Sequence, residues 1–236
     1  MNKIAVIGGS GVLEIELFAG LKKREIMTAY GRVVVEEGAG GIFFLQRHGT
    51  PPVPPHKLNH KANLTALKEC GAKYIIAVNS TGSLQSELAP GSLLVPDDYF
   101  NPWAIKTFFD DRLEFVTPGL SAVVRRVIIE TAEKLAVELV DGGTYIQTTG
   151  PRFETRAEVR VLAGWGSVVG MTMANEATLA RELGLEYASL CLVDNYANGV
   201  CDQVVDFHEI EKAQQKNSRI LARLLPDICQ MFMAKG

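Results

Sequence analysis

The sequence lacks the features that mark membrane and secreted proteins. None of its apolar stretches approaches the roughly 18 residues that a transmembrane helix requires. The amino terminus enters a strand-like pattern at once, without the basic region, longer apolar region and cleavage site of a signal peptide. The four cysteines contain no C-x-x-C pair, so we expect reduced, partly buried thiols in a cytoplasmic protein.

The usual marks of nucleic-acid and metal binding are also missing. The net charge is −3 over 236 residues, with no block of like charges, which argues against a surface for nucleic acid. His56 and His60 have the i, i+4 spacing of a zinc site, but prolines 54 and 55 oppose a helix around His56, and no H-E-x-x-H motif or Cys–His cluster exists. We therefore expect no metal ion. The lack of a G-x-S-x-G motif argues against a serine hydrolase.

What the chain does have is an alternation of short β-branched runs with amphipathic segments. This pattern predicts an α/β protein with a largely parallel sheet covered by helices, in a single domain over residues 1–236. The proline-rich residues 51–55 predict a rigid loop at the rim of a site. Strands are predicted at 4–7, 33–35, 42–45, 74–78, 92–96, 143–148, 168–169 and 187–193, and helices at 63–70, 121–135, 155–163, 175–183 and from near 206.

Two segments in the first fifth of the chain are candidates for binding an anion. The glycine turn at 8–11 follows a strand, so its backbone N–H groups and the Ser10 hydroxyl can approach a phosphate. It is not a dinucleotide fingerprint, because Glu14 stands where the last glycine is needed. Arg47 can fork onto two phosphate oxygens and His48 can donate to a third. On local sequence alone, a surface arginine and a satisfied histidine are the favoured interpretation.

A later stretch, at residues 149–158 and 170–176, concentrates side chains suited to a nucleoside. Phe153 offers a stacking ring, Glu154 a carboxylate, Met171 a soft apolar surface and Thr172 a hydroxyl. Taken singly, the phenylalanine and the methionine would fit core packing equally well. Together with the two anion candidates, they predict a site that holds phosphate beside a nucleoside.

These pieces resemble the trimeric purine nucleoside phosphorylases, on the branch of the 5'-methylthioadenosine and 5'-methylthioinosine phosphorylases. The resemblance covers nearly the whole chain in the family's order. The matching motifs are Ile7-Gly-Gly-Ser-Gly11, Arg47-His48-Gly49, Asn59-His-Lys-Ala-Asn63, Ala77-Val-Asn-Ser-Thr-Gly-Ser83, Gly150-Pro-Arg-Phe-Glu-Thr155, Gly170-Met-Thr172 and Val193-Asp-Asn195.

The resemblance implies a homotrimer with a mixed, partly barrelled sheet inside a layer of helices, inorganic phosphate as co-substrate and no cofactor. It implies catalytic roles for Asn195, Glu154 and His48. It also implies a phosphate site and a nucleoside site. The first comprises Ser10, Arg47, His48, Asn79 and Thr172, and the second comprises Phe153, Glu154, Met171, Asn195, Ser80, Gly82 and Phe207.

Glu154 and Asn195 indicate which base the site accepts. A 6-oxopurine carries a proton on N1 that a carboxylate can accept, whereas the bare N1 lone pair of adenine would repel it. The adenosine-type branch instead carries Asp at position 195, a small hydroxyl residue at 154 and a second Asp where this chain has Ala197. The three differences predict a preference for hypoxanthine or guanine. If the register were shifted by one, Asp194 would face the base and the inference would weaken.

The 5' end of the sugar leaves two alternatives. If Phe207 covers it, a methylthio group fits and 5'-methylthioinosine is the expected substrate; if His208 does, an inosine or guanosine phosphorylase is expected. Two further functions remain as alternatives: a 5'-methylthioadenosine phosphorylase and a non-catalytic nucleoside sensor. The segment 103–109 could reach a neighbouring subunit's site.

Overall fold

The computed structural model describes residues 2–9, 12, 15–18, 20–103, 105–201 and 207–234, with only the backbone of residues 16, 207 and 209. The strands within them are β1 Ile4–Gly8, β2 Lys22–Thr28, β3 Gly31–Glu37, β4 Ile42–Gln46, β5 Tyr74–Ser83, β6 Leu93–Val95, β7 Asp98–Phe100, β8 Val140–Asp141, β9 Thr144–Gln147, β10 Val168–Gly170 and β11 Glu186–Tyr196. The helices are α1 His60–Glu69, α2 Ala122–Lys134, α3 Arg156–Leu162, α4 Met173–Glu182 and α5 Phe207–Ala234.

The strands form one mixed sheet around β5, which pairs in parallel with β1 and β11 and antiparallel with β10. Six of the ten strand pairings in the described part are parallel. The predicted α/β class and mixed, helix-covered sheet are therefore confirmed. The branch at β5 agrees with the partly barrelled sheet that the resemblance implies.

Apolar side chains alternate between two cores on opposite faces of the sheet. In β1, Ala5 and Ile7 belong to the core beneath α1 and α4, whereas Ile4 and Val6 belong to the core beneath α2 and α5. Burial on both faces explains why the central strands read as continuous apolar runs. Because both faces are covered, the carboxyl ends of the strands are where polar groups can collect.

Helix caps fix the helix bounds close to those predicted. The side chains of Asn59 and Ser121 accept backbone hydrogen bonds at the starts of α1 and α2. Thr155 and Glu158 form a capping box at the start of α3. The cap at Asn59 starts α1 three residues before the predicted position, because an N-cap bond decides the start before the apolar periodicity becomes visible.

Three strands were not predicted. β2 carries charged residues at four of its seven positions, and ion pairs to β3, such as Arg32–Glu25 at 2.7 Å, join these two strands at the sheet edge. Such an edge strand has too little apolar alternation to be recognised. β7 and β8 have only three and two residues, which is too short for a periodic signal.

Candidate active site

A cavity of about 390 Å³ opens at the carboxyl ends of β4, β5, β10 and β11. This is within the volume range of small-molecule sites, and such strand ends are the usual place for them. Nine residues predicted from the sequence line the cavity: Arg47, His48, Ser80, Gly82, Phe153, Glu154, Met171, Thr172 and Asn195. The fold thus brings together side chains that are up to 148 positions apart, from 47 to 195.

Arg47 is held by a carboxylate that the sequence did not reveal. Its Nε and Nη2 donate to Glu176 of α4 at 2.5 and 3.2 Å, and its Nη1 donates to the Val78 carbonyl at 2.9 Å. Tyr187 also donates to Glu176, at 2.9 Å. Three of the five guanidinium N–H groups are thus engaged, which leaves two for an anion in the cavity. The two-point contact that was predicted with phosphate is made with the Glu176 carboxylate instead.

Burial and charge act on Arg47 in opposite directions. Burial alone would lower the pKa of its guanidinium, but the Glu176 carboxylate more than compensates, and the pKa is raised. Arg47 is therefore a fixed cation at the cavity. A signal for Glu176 was present in the sequence, because it is the only charged residue in the first eight positions of α4.

Asn79 and Thr172 are joined by a hydrogen bond, and only Thr172 of the two lines the cavity. Asn79 is buried, its Nδ2 donates to Thr172 Oγ1 at 2.8 Å, and its Oδ1 accepts from Ser189 at 2.7 Å. Because the Thr172 oxygen already accepts this bond, its own proton is available for a ligand. The sequence prediction placed both residues at the phosphate; the structure places Thr172 on the cavity wall and Asn79 as its brace.

His48 has one ring nitrogen fixed. Its Nδ1 lies 2.7 Å from the carbonyl oxygen of Val53. A carbonyl only accepts, so Nδ1 carries a proton and Nε2 is left for a ligand. In the neutral ring Nε2 is then an acceptor, so it would bind a protonated phosphate oxygen and not donate to one, as the sequence analysis expected. Val53 belongs to the proline-rich segment, and Pro55 of the same segment lines the cavity. The prediction that this loop shapes the site rim is confirmed.

Glu154 and Asn195 also line the cavity. Glu154 is buried except for its cavity side, and its Oε1 accepts from Thr148 Oγ1 at 2.6 Å. Asn195 Nδ2 donates to the Tyr196 carbonyl at 2.7 Å, which leaves one amide proton and the oxygen available. A Cβ at Gly82 would lie 3.5 Å from Asn195 Nδ2, which is an ordinary van der Waals contact.

The contacts of Asp194 bear on the register question raised by the sequence. The pairing of β11 with β5 shifts between Val193 and Asn195, so Asp194 is the extra residue of a bulge. Its buried carboxylate accepts from Ser80 Oγ, from Gln214 at 3.1 Å and from Asn217 at 3.3 Å. Both oxygens are thus engaged.

Burial raises the pKa of the Asp194 carboxyl group, against the effect of its three hydrogen bonds. Asp194 lines the cavity beside Asn195, but its oxygens bind Ser80 and helix α5. The interpretation that assigns the base to Asn195 is therefore favoured. The Ser80 hydroxyl, predicted to contact the nucleoside, is used on Asp194 instead.

The backbone around Met171 is tightly constrained. Gln147 Nε2 donates to the Met171 carbonyl at 3.2 Å, while Gln147 Oε1 accepts from the Ala174 N–H at 2.8 Å. Gly150 has φ +66°, and a Cβ there would lie 2.4 Å from the Met171 sulfur. Only glycine fits this position, which explains its place in the motif. Phe153 is 45% exposed at the cavity's edge.

Helix α5 presents one face to the cavity through Gln214, Ser218 and Leu221. Helical spacing puts Phe207 on this face, while His208 is rotated from it by about 100°. Ser10 and the side chain of Phe207 lie outside the described residues, so their predicted contacts remain predictions. Among the described residues, no group of three or more His, Cys, Asp or Glu could hold a metal ion, and none of the helices is both long and apolar enough to span a membrane.

Comparison with known proteins agrees with this arrangement. Residues 3–229 match the profile of the phosphorylase superfamily. The chain belongs to this superfamily. A probable 6-oxopurine nucleoside phosphorylase of Archaeoglobus fulgidus is 40% identical over 229 residues, covering 95% of this phosphorylase and 94% of the relative. A probable S-methyl-5'-thioinosine phosphorylase of Methanocaldococcus jannaschii is 37% identical, covering 92% and 88%.

Solved structures show the same fold. The methylthioadenosine phosphorylase of Schistosoma mansoni in complex with adenine superimposes with a TM-score of 0.89 and 28% identity, covering 99% of this phosphorylase and 93% of that chain. The family resemblance identified from the sequence motifs is therefore confirmed.

Proposed function

We propose that this chain is a purine nucleoside phosphorylase that prefers 6-oxopurine nucleosides, with 5'-methylthioinosine as its best substrate. The reaction converts phosphate and nucleoside into free base and 5-methylthioribose 1-phosphate. The observation that carries the proposal is that Glu154 and Asn195, which we assign to the base, line the same cavity as Arg47 and Thr172, which we assign to phosphate.

The base end selects by hydrogen-bond complementarity. The Glu154 oxygen that Thr148 does not occupy can accept the N1 proton of hypoxanthine. The remaining amide proton of Asn195 can donate to O6, and its oxygen can accept the N7 proton as the base departs. Adenine would place a bare N1 lone pair against a carboxylate, and a buried mismatch of this kind discriminates strongly.

The phosphate end supplies positioning and charge. Two N–H groups of Arg47, the Thr172 hydroxyl and His48 Nε2 can surround one phosphate ion. As the glycosidic bond lengthens, positive charge develops on the sugar, as it does in glycoside cleavage generally. The phosphate anion stabilises that charge and then bonds to C1', while Asn195 and Glu154 stabilise the departing base. The step needs no covalent enzyme intermediate.

The 5' substituent depends on α5. The face that carries Gln214 and Leu221 lines the cavity, and the same face includes position 207. A phenylalanine there favours a methylthio group over a hydroxyl, because a buried hydroxyl without a partner is costly. We also propose a cytoplasmic homotrimer in which the segment 103–109, with Trp103 55% exposed, approaches a neighbouring subunit.

A second candidate is a 5'-methylthioadenosine phosphorylase. It is favoured by the enzyme of that name in Hyperthermus butylicus, which is 36% identical over 243 residues, covering 94% of this chain and 87% of the relative. A carboxylate at position 154 argues against it.

The activity can be tested with purified protein and methylthioinosine, by following the release of hypoxanthine with and without phosphate. We expect release that depends on phosphate and yields a sugar phosphate. Tight nucleoside binding without any phosphate-dependent release would indicate a non-catalytic nucleoside sensor.

A further inference from the structure

Thr148 follows the last residue of β9 and contacts Glu154, which lines the cavity. Its backbone N–H donates to the Gly170 carbonyl at 2.8 Å, continuing the β9–β10 pairing. Its hydroxyl is not needed for that pairing. Oγ1 lies 2.6 Å from Glu154 Oε1 but 3.5 Å from the Gly170 carbonyl, so its single proton goes to the carboxylate.

The backbone of Glu154 is fixed by its neighbours. Arg152 donates to the Phe153 carbonyl at 3.0 Å and pairs with Glu158 at 2.7 Å, and the Thr155 capping box starts α3 immediately after. These contacts fix where the Glu154 side chain begins. They do not fix the rotation of its carboxylate, whose terminal torsion is intrinsically broad.

Thr148 provides that missing constraint. Among the described residues, none of the ion pairs involves Glu154, and the Thr148 hydroxyl is the hydrogen-bond donor to its carboxylate. Because a hydroxyl that donates to one oxygen fixes the carboxylate plane, the other oxygen, Oε2, is presented to a ligand.

We infer that Thr148 is a positioning residue for base selection, which orients the Glu154 carboxylate so that the site binds 6-oxopurines. This inference rests on the proposed function and assigns the selectivity to a pair, Thr148 with Glu154, rather than to the glutamate alone. A charge-assisted hydrogen bond of this kind contributes on the order of a 10- to 100-fold change in an equilibrium or rate ratio.

The test compares three variants with the wild type. Thr148→Val keeps the shape and removes the hydroxyl, Thr148→Ser restores the hydroxyl, and Thr149→Val makes the same change at the exposed neighbouring threonine. The measurements are kcat/KM for inosine and for adenosine at saturating phosphate, and the phosphate KM. We expect Thr148→Val to lower the inosine value about 10- to 100-fold, with the adenosine value and the phosphate KM unchanged. Thr148→Ser and Thr149→Val should behave like the wild type.

A double-mutant cycle separates positioning from packing. In a Glu154→Gln background the Thr148→Val change should have little further effect, because both act through one contact. An unchanged inosine-to-adenosine ratio in Thr148→Val would overturn the inference. So would an equal fall for both substrates that Thr148→Ser does not restore.

Equilibrium binding of free hypoxanthine and adenine distinguishes this inference from the proposed function. If the wild type releases no base, the phosphorylase proposal fails, but the affinities still test Thr148. Hypoxanthine should bind about 10- to 100-fold more weakly to Thr148→Val, with adenine unaffected. Equal hypoxanthine affinity in the two proteins would contradict the role of Thr148 whatever the catalytic result.

Discussion

Arg47 and Glu176 lie 129 positions apart in the chain and form a buried two-point ion pair at the edge of the cavity. Their side chains are 4% and 1% exposed. Because Glu176 is anchored on α4 and also accepts from Tyr187, the guanidinium has one fixed orientation. Its remaining N–H groups are held ready for an anion, without the entropic cost of ordering a free arginine.

The pair makes Arg47→Ala a substitution with two effects. Phosphate binding should weaken by about 1.5–3 kcal/mol as a charge-assisted contact is lost. Stability should also fall, by about 3–5 kcal/mol, because Glu176 is left buried without its partner. The phosphate KM and the midpoint of urea unfolding measure the two effects separately.

A matched double variant keeps these effects apart. Arg47→Met with Glu176→Leu removes both charges and should recover most of the stability, because no uncompensated charge remains. The phosphate KM should stay high. Wild-type phosphate affinity in the double variant would remove Arg47 from the phosphate site.

Base preference should change when Glu154 and Asn195 change. Glu154→Ser with Asn195→Asp removes the acceptor for N1–H and introduces a carboxylate at the position where the adenosine-type branch carries Asp. We expect the ratio of kcat/KM for inosine over adenosine to fall by about 10-fold or more, since each mispaired polar group costs about 1–3 kcal/mol. An unchanged ratio would show that the base is recognised elsewhere in the cavity.

The 5' pocket can be tested on α5. Phe207→His should raise kcat/KM for inosine relative to methylthioinosine by giving the 5'-hydroxyl a partner, whereas His208→Ala should change little. The opposite result would be loss of inosine cleavage in His208→Ala and no change in Phe207→His. That result would place the other face of α5 over the sugar.

His60 should make the fold sensitive to acid. It is buried, its Nδ1 has no hydrogen-bond partner among the residues that the structure describes, and burial lowers its pKa from 6.5 to about 4. Between these values the unfolded chain binds a proton that the folded chain does not, so stability falls as the pH decreases from about 6.5 to about 4. Through His60, the free energy of unfolding should fall by about 3 kcal/mol over this pH range.

Replacing His60 by Leu removes this linkage. Urea midpoints at pH 7 and pH 4 should therefore differ less in His60→Leu than in the wild type, while the carboxylates contribute equally to both proteins. The same pH dependence in both proteins would show that His60 is not buried in its neutral form.

Much of the fold was predictable because its strands and helices carry local signals. The runs in β1, β5 and β11 and the caps at Ser121 and Thr155 are readable within a few residues. The cavity-lining residues were predicted through a resemblance and not through local pattern. From its local sequence alone, Arg47 is better interpreted as a surface residue.

The supporting contacts were not predictable, because they join distant parts of the chain. Glu176 meets Arg47 from another element, and Asp194 owes its position to a bulge that no local sequence signal marks. Thr148 is six positions from Glu154, yet a loop with a left-handed glycine brings their side chains together. These residues orient the groups that contact ligands, so their roles become visible only in three dimensions.

The most direct measurement is a substrate panel at one fixed phosphate concentration: methylthioinosine, methylthioadenosine, inosine, guanosine and adenosine. The pairing of Glu154 with Asn195 predicts that the 6-oxopurine nucleosides have far higher kcat/KM than the aminopurine ones, with methylthioinosine highest. If methylthioadenosine had the highest kcat/KM, the assignment of base selectivity to these two residues would be wrong.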